Sequence, residues 1–326
     1  MTTISTRVAY GRELCELGRT RDDVVVFDAD LSICTMTTYF AQEFPERFFN
    51  AGIAEANMIG MAAGMATTGK TVFANSFAMF TAGRAYDQIR NSVAYPRLNV
   101  KVVGTHAGLS VGEDGATHQM LEDIALMRAI PGMTVVVPCD AHEAREAVRA
   151  IAEHDGPCYL RLGRAAVRTV TEGVGGYRFE IGRAARLRDG GDVTLVATGL
   201  MVQESLAAAD LLAARGIQAT VLDMHTIKPL DAEALLDAAR ATGAIVTAEE
   251  HNVLGGLGGA VSEVVAQSGT GAVVLRVGVE DRFGHSGSAA ALLAAYNLTA
   301  ECVAARALEA IALRDSARTG SVAVAR

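Results

Sequence analysis

The stretch VTLVATGLMVQESLAAADLLAARGIQATVLDMHTIKPLDAEALLDAARATGAIVTA, residues 193–248, decides the fold class. Val193–Ala197, Thr220–Asp223 and Ala244–Ala248 are short β-rich apolar runs, and Ala- and Leu-rich segments of helical period, Val202–Arg215 and Ala232–Ala241, lie between them. Apolar strands alternating with helices predict a parallel sheet covered on both faces. Downstream the pattern continues with a helix at Gly258–Gln267, a strand at Val273–Val277 and a closing helix from Ala300 to Leu313. The tail from Arg314 onward reads as frayed.

Upstream the alternation is the same. Strands are expected at Val24–Asp28, Arg47–Asn50, Thr71–Asn75, Val100–Thr105, Thr134–Pro138 and Tyr159–Leu162. Helices are expected at Ser5–Leu17, Glu55–Thr67, Gly83–Ser92, Met120–Ala129 and Ala141–Glu153. Thr171–Asp192 breaks the pattern with six glycines and mixed charge, a boundary signal. The expected organisation is α/β: two doubly wound domains with mainly parallel sheets, at 1–172 and 192–326, joined by a Gly-rich connector at 173–191. A chain of 326 residues accommodates two domains of roughly 150 residues each.

Composition narrows the functional classes. With 29 Lys+Arg against 37 Asp+Glu the formal charge is −8, which argues against nucleic acid and anionic membranes as partners. No apolar stretch approaches the ~18 residues of a membrane span, and the first residues lack a signal-peptide core, so a cytoplasmic protein is expected. The five cysteines form no C-x-x-C pair, which speaks against a disulfide framework and a structural zinc.

In such sheets ligands bind beyond the C-terminal strand ends, and most of the polar clusters sit there. Glu55, in FFNAGIAEANMIGMAAGMATTG, opens a helix of almost wholly small or apolar residues. A helix apolar on every face is expected to be buried, and a buried carboxylate needs a partner or a raised pKa. A first-turn glutamate on a helix dipole is the plainer role. Gly60 and Gly64 predict close approach of another helix. GTHAGLSVGEDGATHQ, residues 104–119, is a long Gly-rich loop holding His106, Glu113, Asp114 and His118. Its imidazoles and carboxylates suit a polyhydroxylated ligand or proton transfer, and the spacing of its histidines is not that of a helical metal site. Phe77 and Phe80 can stack on a heterocycle or simply pack in the core. Arg7, Arg161 and Arg164 are candidate anion binders, and DADLS offers Asp28, Asp30 and Ser32 at a strand end. In the second half EEHNVLGGLGGAV is Gly-rich but lacks the dinucleotide fingerprint, and no P-loop exists. His251 and His285 can border a cleft or be satisfied structural histidines.

In this order the motifs resemble the C-terminal half of transketolase, its pyrimidine-binding domain followed by its small third domain, over roughly residues 5–313. GEDGATHQ is the most specific element, supported by the initial TR, GIAEAN, SFAMF, TIKPLD and EEH…GGLGG. The resemblance implies that Glu55 hydrogen-bonds the aminopyrimidine nitrogen of thiamine diphosphate and that Phe77 and Phe80 stack against that ring. It implies that His106, Asp114 and His118 hold sugar hydroxyls, with both histidines counted among the catalytic groups. Arg7 and Arg164 become substrate-phosphate binders, and Asp30 a cofactor-side carboxylate at a subunit interface. Cys34 stands where the family commonly has serine. No G-D-G sequence is present, so the diphosphate and Mg²⁺ are expected on a separate N-terminal subunit, most simply in an α2β2 assembly, with no metal ligand on this chain. The implied activity is transfer of a two-carbon ketol unit from a ketose, expected as a phosphate, to an aldose. The alternatives are the β subunit of a 2-oxo-acid dehydrogenase E1 component, half of a 1-deoxyxylulose-phosphate synthase, and a non-catalytic regulatory subunit.

Overall fold

The computed structural model describes residues 3–319. Among the described residues seven strands form the first sheet, in the order Thr226–Lys228, Thr134–Val136, Cys158–Arg161, Val100–Thr105, Thr71–Phe77, Val24–Asp28, Phe48–Asn50. All its pairings are parallel except that of Thr226–Lys228 with Thr134–Val136. The second sheet has the order Val273–Val279, Ala244–Asn252, Val193–Ala197, Ala219–Asp223, Ala185–Arg188, with only the last strand antiparallel. A short antiparallel pair, Thr3–Ser5 with Ala166–Arg168, brings the two ends of the first half together.

The alternation of side chains along a strand explains the double covering. Val24 and Val26 join one core with Tyr10, Leu14, Ala147 and Ile151, whereas Val25 and Phe27 join the other with Met58, Ile59 and Ala62. Helix Ala141–Glu153 is started by Asp140, whose carboxylate accepts from the Glu143 N–H at 2.9 Å, and buries Ala144, Ala147, Val148 and Ile151. Asp231 caps helix Ala232–Thr242 in the same way, and Gly243 ends it in a left-handed turn at φ +66°.

Several elements depart from expectation. Thr226–Lys228, in the second half of the chain, crosses to the edge of the first sheet, and one core cluster contains both Val102 and Ile245. The connector holds an edge strand of the second sheet, Ala185–Arg188. Ala244–Asn252 runs four residues beyond Ala248 and takes Glu249, Glu250 and His251 into the sheet. The helix expected at Gly83–Ser92 is a longer irregular segment, with π turns Met79–Arg84 and Ile89–Ala94 flanking the single turn Tyr86–Gln88. The last helix, Ala300–Thr319, passes Leu313, so the frayed tail is helical as far as Thr319, and its remainder lies outside the described residues. Among the described residues no helix is long and apolar enough to cross a membrane.

Candidate active site

Glu55 is the first residue of helix Glu55–Ala66 and only 5 % exposed. The Arg84 guanidinium reaches its Oε1 at 3.3 Å and lies 4.2 Å from the Phe80 ring centre, so one arginine bridges the carboxylate to an aromatic wall. That wall is continuous. Phe77 and Phe80 stack at 5.7 Å, the His106 ring stacks on Phe77 at 3.9 Å, and His118 meets Phe80 edge-on at 5.3 Å. Glu55, Phe77, Phe80, His106 and His118 therefore form one connected cluster. It stands where strands Thr71–Phe77 and Val100–Thr105 end.

Both imidazoles are steered by the residue before them. Thr105 Oγ1 lies 2.9 Å from His106 Nδ1, and Thr117 Oγ1 lies 2.9 Å from His118 Nδ1. The Thr105 hydroxyl donates to the Ser76 carbonyl at 3.4 Å, so it accepts from Nδ1–H of His106 and leaves Nε2 with a free lone pair. His106 has φ +56° and is buried. Burial first, then Arg7, Arg164 and His118, push its pKa down to about 3, so its ring is neutral at physiological pH.

The two arginines are brought together by the chain ends of the first half. The Gly163 N–H donates to Thr6 Oγ1 at 2.9 Å, which sets Arg7 beside Arg164. Arg7 Nη1 donates to the Cys34 carbonyl at 2.6 Å, while its buried Nε has no hydrogen-bond partner among the described residues. Burial holds its pKa below the usual arginine value. Arg164 donates to the Val111 carbonyl and to Glu113 at 3.1 Å. Cys34 thus meets Arg7 through its main chain, and the change from serine does not remove that contact.

Other candidates have structural work. Arg161 is not an anion binder: its Nε donates to buried Asp123 at 2.8 Å and its Nη2 to the Glu250 carbonyl at 2.9 Å. Asp28 is buried and accepts from Leu31 N–H and from the Thr35 and Thr37 hydroxyls; burial raises its pKa to about 6 against those bonds. His251 is fully buried, with Nδ1 2.7 Å from the Asn252 carbonyl oxygen. His285 is exposed beside Tyr296. Asp30, at φ +62°, is exposed and accepts from Asn50 Nδ2 at 2.9 Å, and Asp114 is exposed on its loop; neither is hydrogen-bonded to the aromatic cluster.

The helix that begins with Glu55 is not buried on every face. Ala56, Asn57, Gly60, Met61 and Gly64 are exposed, and among the described residues a Cβ at Gly60 or Gly64 would meet nothing within 4 Å. The close approach expected there is not made among the described residues. Ile53, just before the helix, is 77 % exposed.

Sequence reasoning missed Arg84, although it sits one helical turn beyond Phe80. It also missed a buried group between the domains. Cys139, Glu143 and Asp223 lie within 4.8 Å of one another. Burial and then Glu143 drive the Asp223 pKa well above the usual carboxylate range, which favours its protonated form beside Glu143.

A carboxylate, an aromatic wall, two oriented imidazoles and paired arginines suit a heteroaromatic cofactor and an anionic polyol. The family model described as "Transketolase, pyrimidine binding domain" matches residues 2–170, and "Transketolase, C-terminal domain" matches residues 182–303. The chain belongs to the transketolase family. It is 53 % identical to the Methanocaldococcus jannaschii protein named "Putative transketolase C-terminal section", over 93 % of this chain and 95 % of that one. It is 46 % identical to a 6-deoxy-6-sulfo-D-fructose transketolase subunit of a Clostridium species, over 90 % of this chain and 91 % of that one. A solved chain described as "Split gene transketolase, inactive beta4 tetramer" superposes with TM-score 0.89 at 52 % identity, covering 95 % of this chain and 99 % of its own. Along nearly its whole length the chain is thus similar to a transketolase C-terminal section, a transketolase subunit and a split gene transketolase chain of much the same extent.

Proposed function

We propose that this chain is the C-terminal subunit of a two-chain, thiamine-diphosphate-dependent transketolase and carries the pyrimidine side of the cofactor site together with the sugar-binding loop. The observation that carries the proposal is the single cluster of Glu55, Phe77, Phe80, His106 and His118. Its donor set fits the aminopyrimidine end of that cofactor. A nearly buried carboxylate, whose ion-pair partner Arg84 is half exposed, stands beside stacked rings. The orphaned Arg7 Nε fits an anionic substrate end. When bound, the cofactor supplies the electron sink for carbon–carbon bond cleavage.

The chain's own residues then have distinct tasks. Glu55 holds a proton at the pyrimidine ring nitrogen, and Phe77 and Phe80 fix the ring plane and exclude water. Neutral His106 accepts a hydrogen bond from a sugar hydroxyl through Nε2, and His118 and Asp114 hold others. Arg7 and Arg164 bind the terminal anion. Asp30 faces the cofactor from the subunit boundary, and the N-terminal subunit holds the diphosphate and Mg²⁺. The relative named for a sulfo-sugar supports an anionic ketose and leaves phosphate and sulfonate as the donor classes to assay. In this reading residues 1–172 form the pyrimidine domain, 173–191 the connector and 192–326 the C-terminal domain of a cytoplasmic α2β2 enzyme. The exposed stripe Ala56, Gly60, Met61 and Gly64, with Ile53, receives the partner subunit. The similar chain described as an inactive β4 tetramer supports dependence on that partner.

Calorimetric titration of thiamine diphosphate and Mg²⁺ tests the proposal. Binding to the reconstituted pair and not to this chain alone is the expected result. Tight binding to this chain alone, or no ketol transfer by the pair, would overturn it.

A further inference from the structure

The loop that carries both histidines is held down from the other domain. Glu250 stands on strand Ala244–Asn252 of the second sheet and is buried. Its carboxylate accepts from the Ser110 N–H and, at 3.2 Å, from the Ser110 hydroxyl. Gly108 rests directly on that carboxylate. It has φ +85°, and a Cβ there would lie 2.3 Å from the Glu250 carboxyl carbon, so only glycine lets the loop come this close. The Gly108 N–H donates to the Met120 carbonyl at 2.9 Å, which closes the loop. Arg161 secures the same junction from below, donating to the Glu250 and Met120 carbonyls at 2.9 and 3.3 Å and to Asp123 at 2.8 Å.

We propose that Glu250 is a positioning residue for the loop from His106 to His118, holding it in place while its carboxyl is ionised. The proposal rests on the sugar-binding role given to that loop above. Glu250 touches neither imidazole through a hydrogen bond and acts through Ser110 and the Gly108 backbone. An ionised carboxylate can accept from both Ser110 donors at once, and such charge-assisted bonds are about twice as strong as neutral ones. Protonation weakens both acceptors and turns one oxygen into a donor.

The charges around it set where that happens. Burial raises the Glu250 pKa to about 7, opposed by Arg161 and by the two Ser110 bonds and assisted by Asp123. On its own strand Glu249 is occupied by the Leu257 and Gly258 N–H groups, and His251 lies against the Asn252 carbonyl. The strand Cys158–Arg161 supplies Arg161, the helix Asp123–Ala129 supplies Asp123, and the loop supplies only the neutral Ser110. Hold on the loop is therefore strongest well above pH 7, where the carboxyl is fully ionised, and weakens as pH falls through about 7, where half of it is protonated.

Glu250→Ala and Glu250→Gln test this by two independent readouts. The first is amide hydrogen exchange of residues 106–120 in the chain at one fixed pH. Alanine orphans the Ser110 N–H and is expected to speed exchange across 108–112 by about tenfold or more, whereas glutamine, whose side-chain carbonyl can still accept, should speed it far less. The second is ketol transfer by the reconstituted pair. Glu250→Ala should raise KM for the ketose about tenfold with little change in cofactor affinity. Wild-type KM should rise below pH 7, and that rise should vanish in Glu250→Gln. Unchanged exchange in Glu250→Ala, or a pH profile retained in Glu250→Gln, would overturn the proposal. A wild-type pair that transfers no ketol unit, while the exchange difference persists, would instead refute the sugar assignment.

Discussion

Replacing Glu55 by glutamine or alanine separates chemistry from folding, because the structure gives the carboxylate little to stabilise. Its ion-pair partner Arg84 lies at a long 3.3 Å with a side chain 54 % exposed, so the pair contributes about 0–1 kcal/mol. A first-turn carboxylate adds about 0.3–1 kcal/mol through the helix dipole. The fold should thus lose at most ~2 kcal/mol on Glu55→Ala, and less on the isosteric Glu55→Gln. Loss of a proton-holding group costs about 10²–10⁴ in rate, equal to roughly 2.7–5.4 kcal/mol of transition-state stabilisation. Turnover should therefore fall at least a hundredfold while assembly persists. The assay is ketol transfer by the reconstituted pair, run beside a thermal midpoint and a sedimentation profile for each variant. Turnover near wild type would refute the assignment of Glu55. Loss of rate in step with loss of assembly would refute the separation argued here.

Three further outcomes are expected. His118→Ala should raise KM for ketose donors about tenfold or more and leave transfer from a simple 2-oxo acid unchanged; equal loss with both donors would favour an acyl-transfer site. Gly60→Leu with Gly64→Leu should leave the isolated chain as stable as wild type, since nothing lies within 4 Å of either position, but abolish association with the partner subunit in size-exclusion runs. The Asp223 pKa is raised in the fold and lies near 3.9 in the unfolded chain, so its contribution to stability is full below about pH 3.9 and declines as pH rises. Asp223→Asn, which cannot ionise, should flatten the fall of the thermal midpoint as pH rises above about 3.9; an unchanged slope would show that the Asp223 pKa is not raised in the fold.

The particular residues explain what could be read in advance. The cores of the strands and helices were legible because periodicity and capping are local: Val24–Asp28, Val100–Thr105, Ala141–Glu153 and Val193–Ala197 appear with the expected bounds. The candidate-site loop was legible for the same reason, since TH at 105–106 and 117–118, the glycines and the acids lie within sixteen consecutive residues. Short edge strands escaped, because Thr226–Lys228 and Ala185–Arg188 owe their conformation to a partner strand and not to their own side chains. Arg161 was misread because an arginine at a strand end looks the same whether it faces a phosphate or a buried Asp123.

Chain order and residue type were thus sufficient for the α/β alternation and the two-sheet plan, and they singled out Glu55, the phenylalanines, the histidines and Arg7 as candidates. Distance in space settled the rest. Glu250 reaches Ser110 across 140 residues, and Arg161 reaches the Glu250 carbonyl across 89. Such pairings depend on which strand ends lie side by side, and no local pattern encodes that. The same is true of the bare stripe at Gly60 and Gly64. An apolar helix face reads alike whether it packs on its own sheet or waits for another chain, and the folded chain shows which of its faces its own core covers.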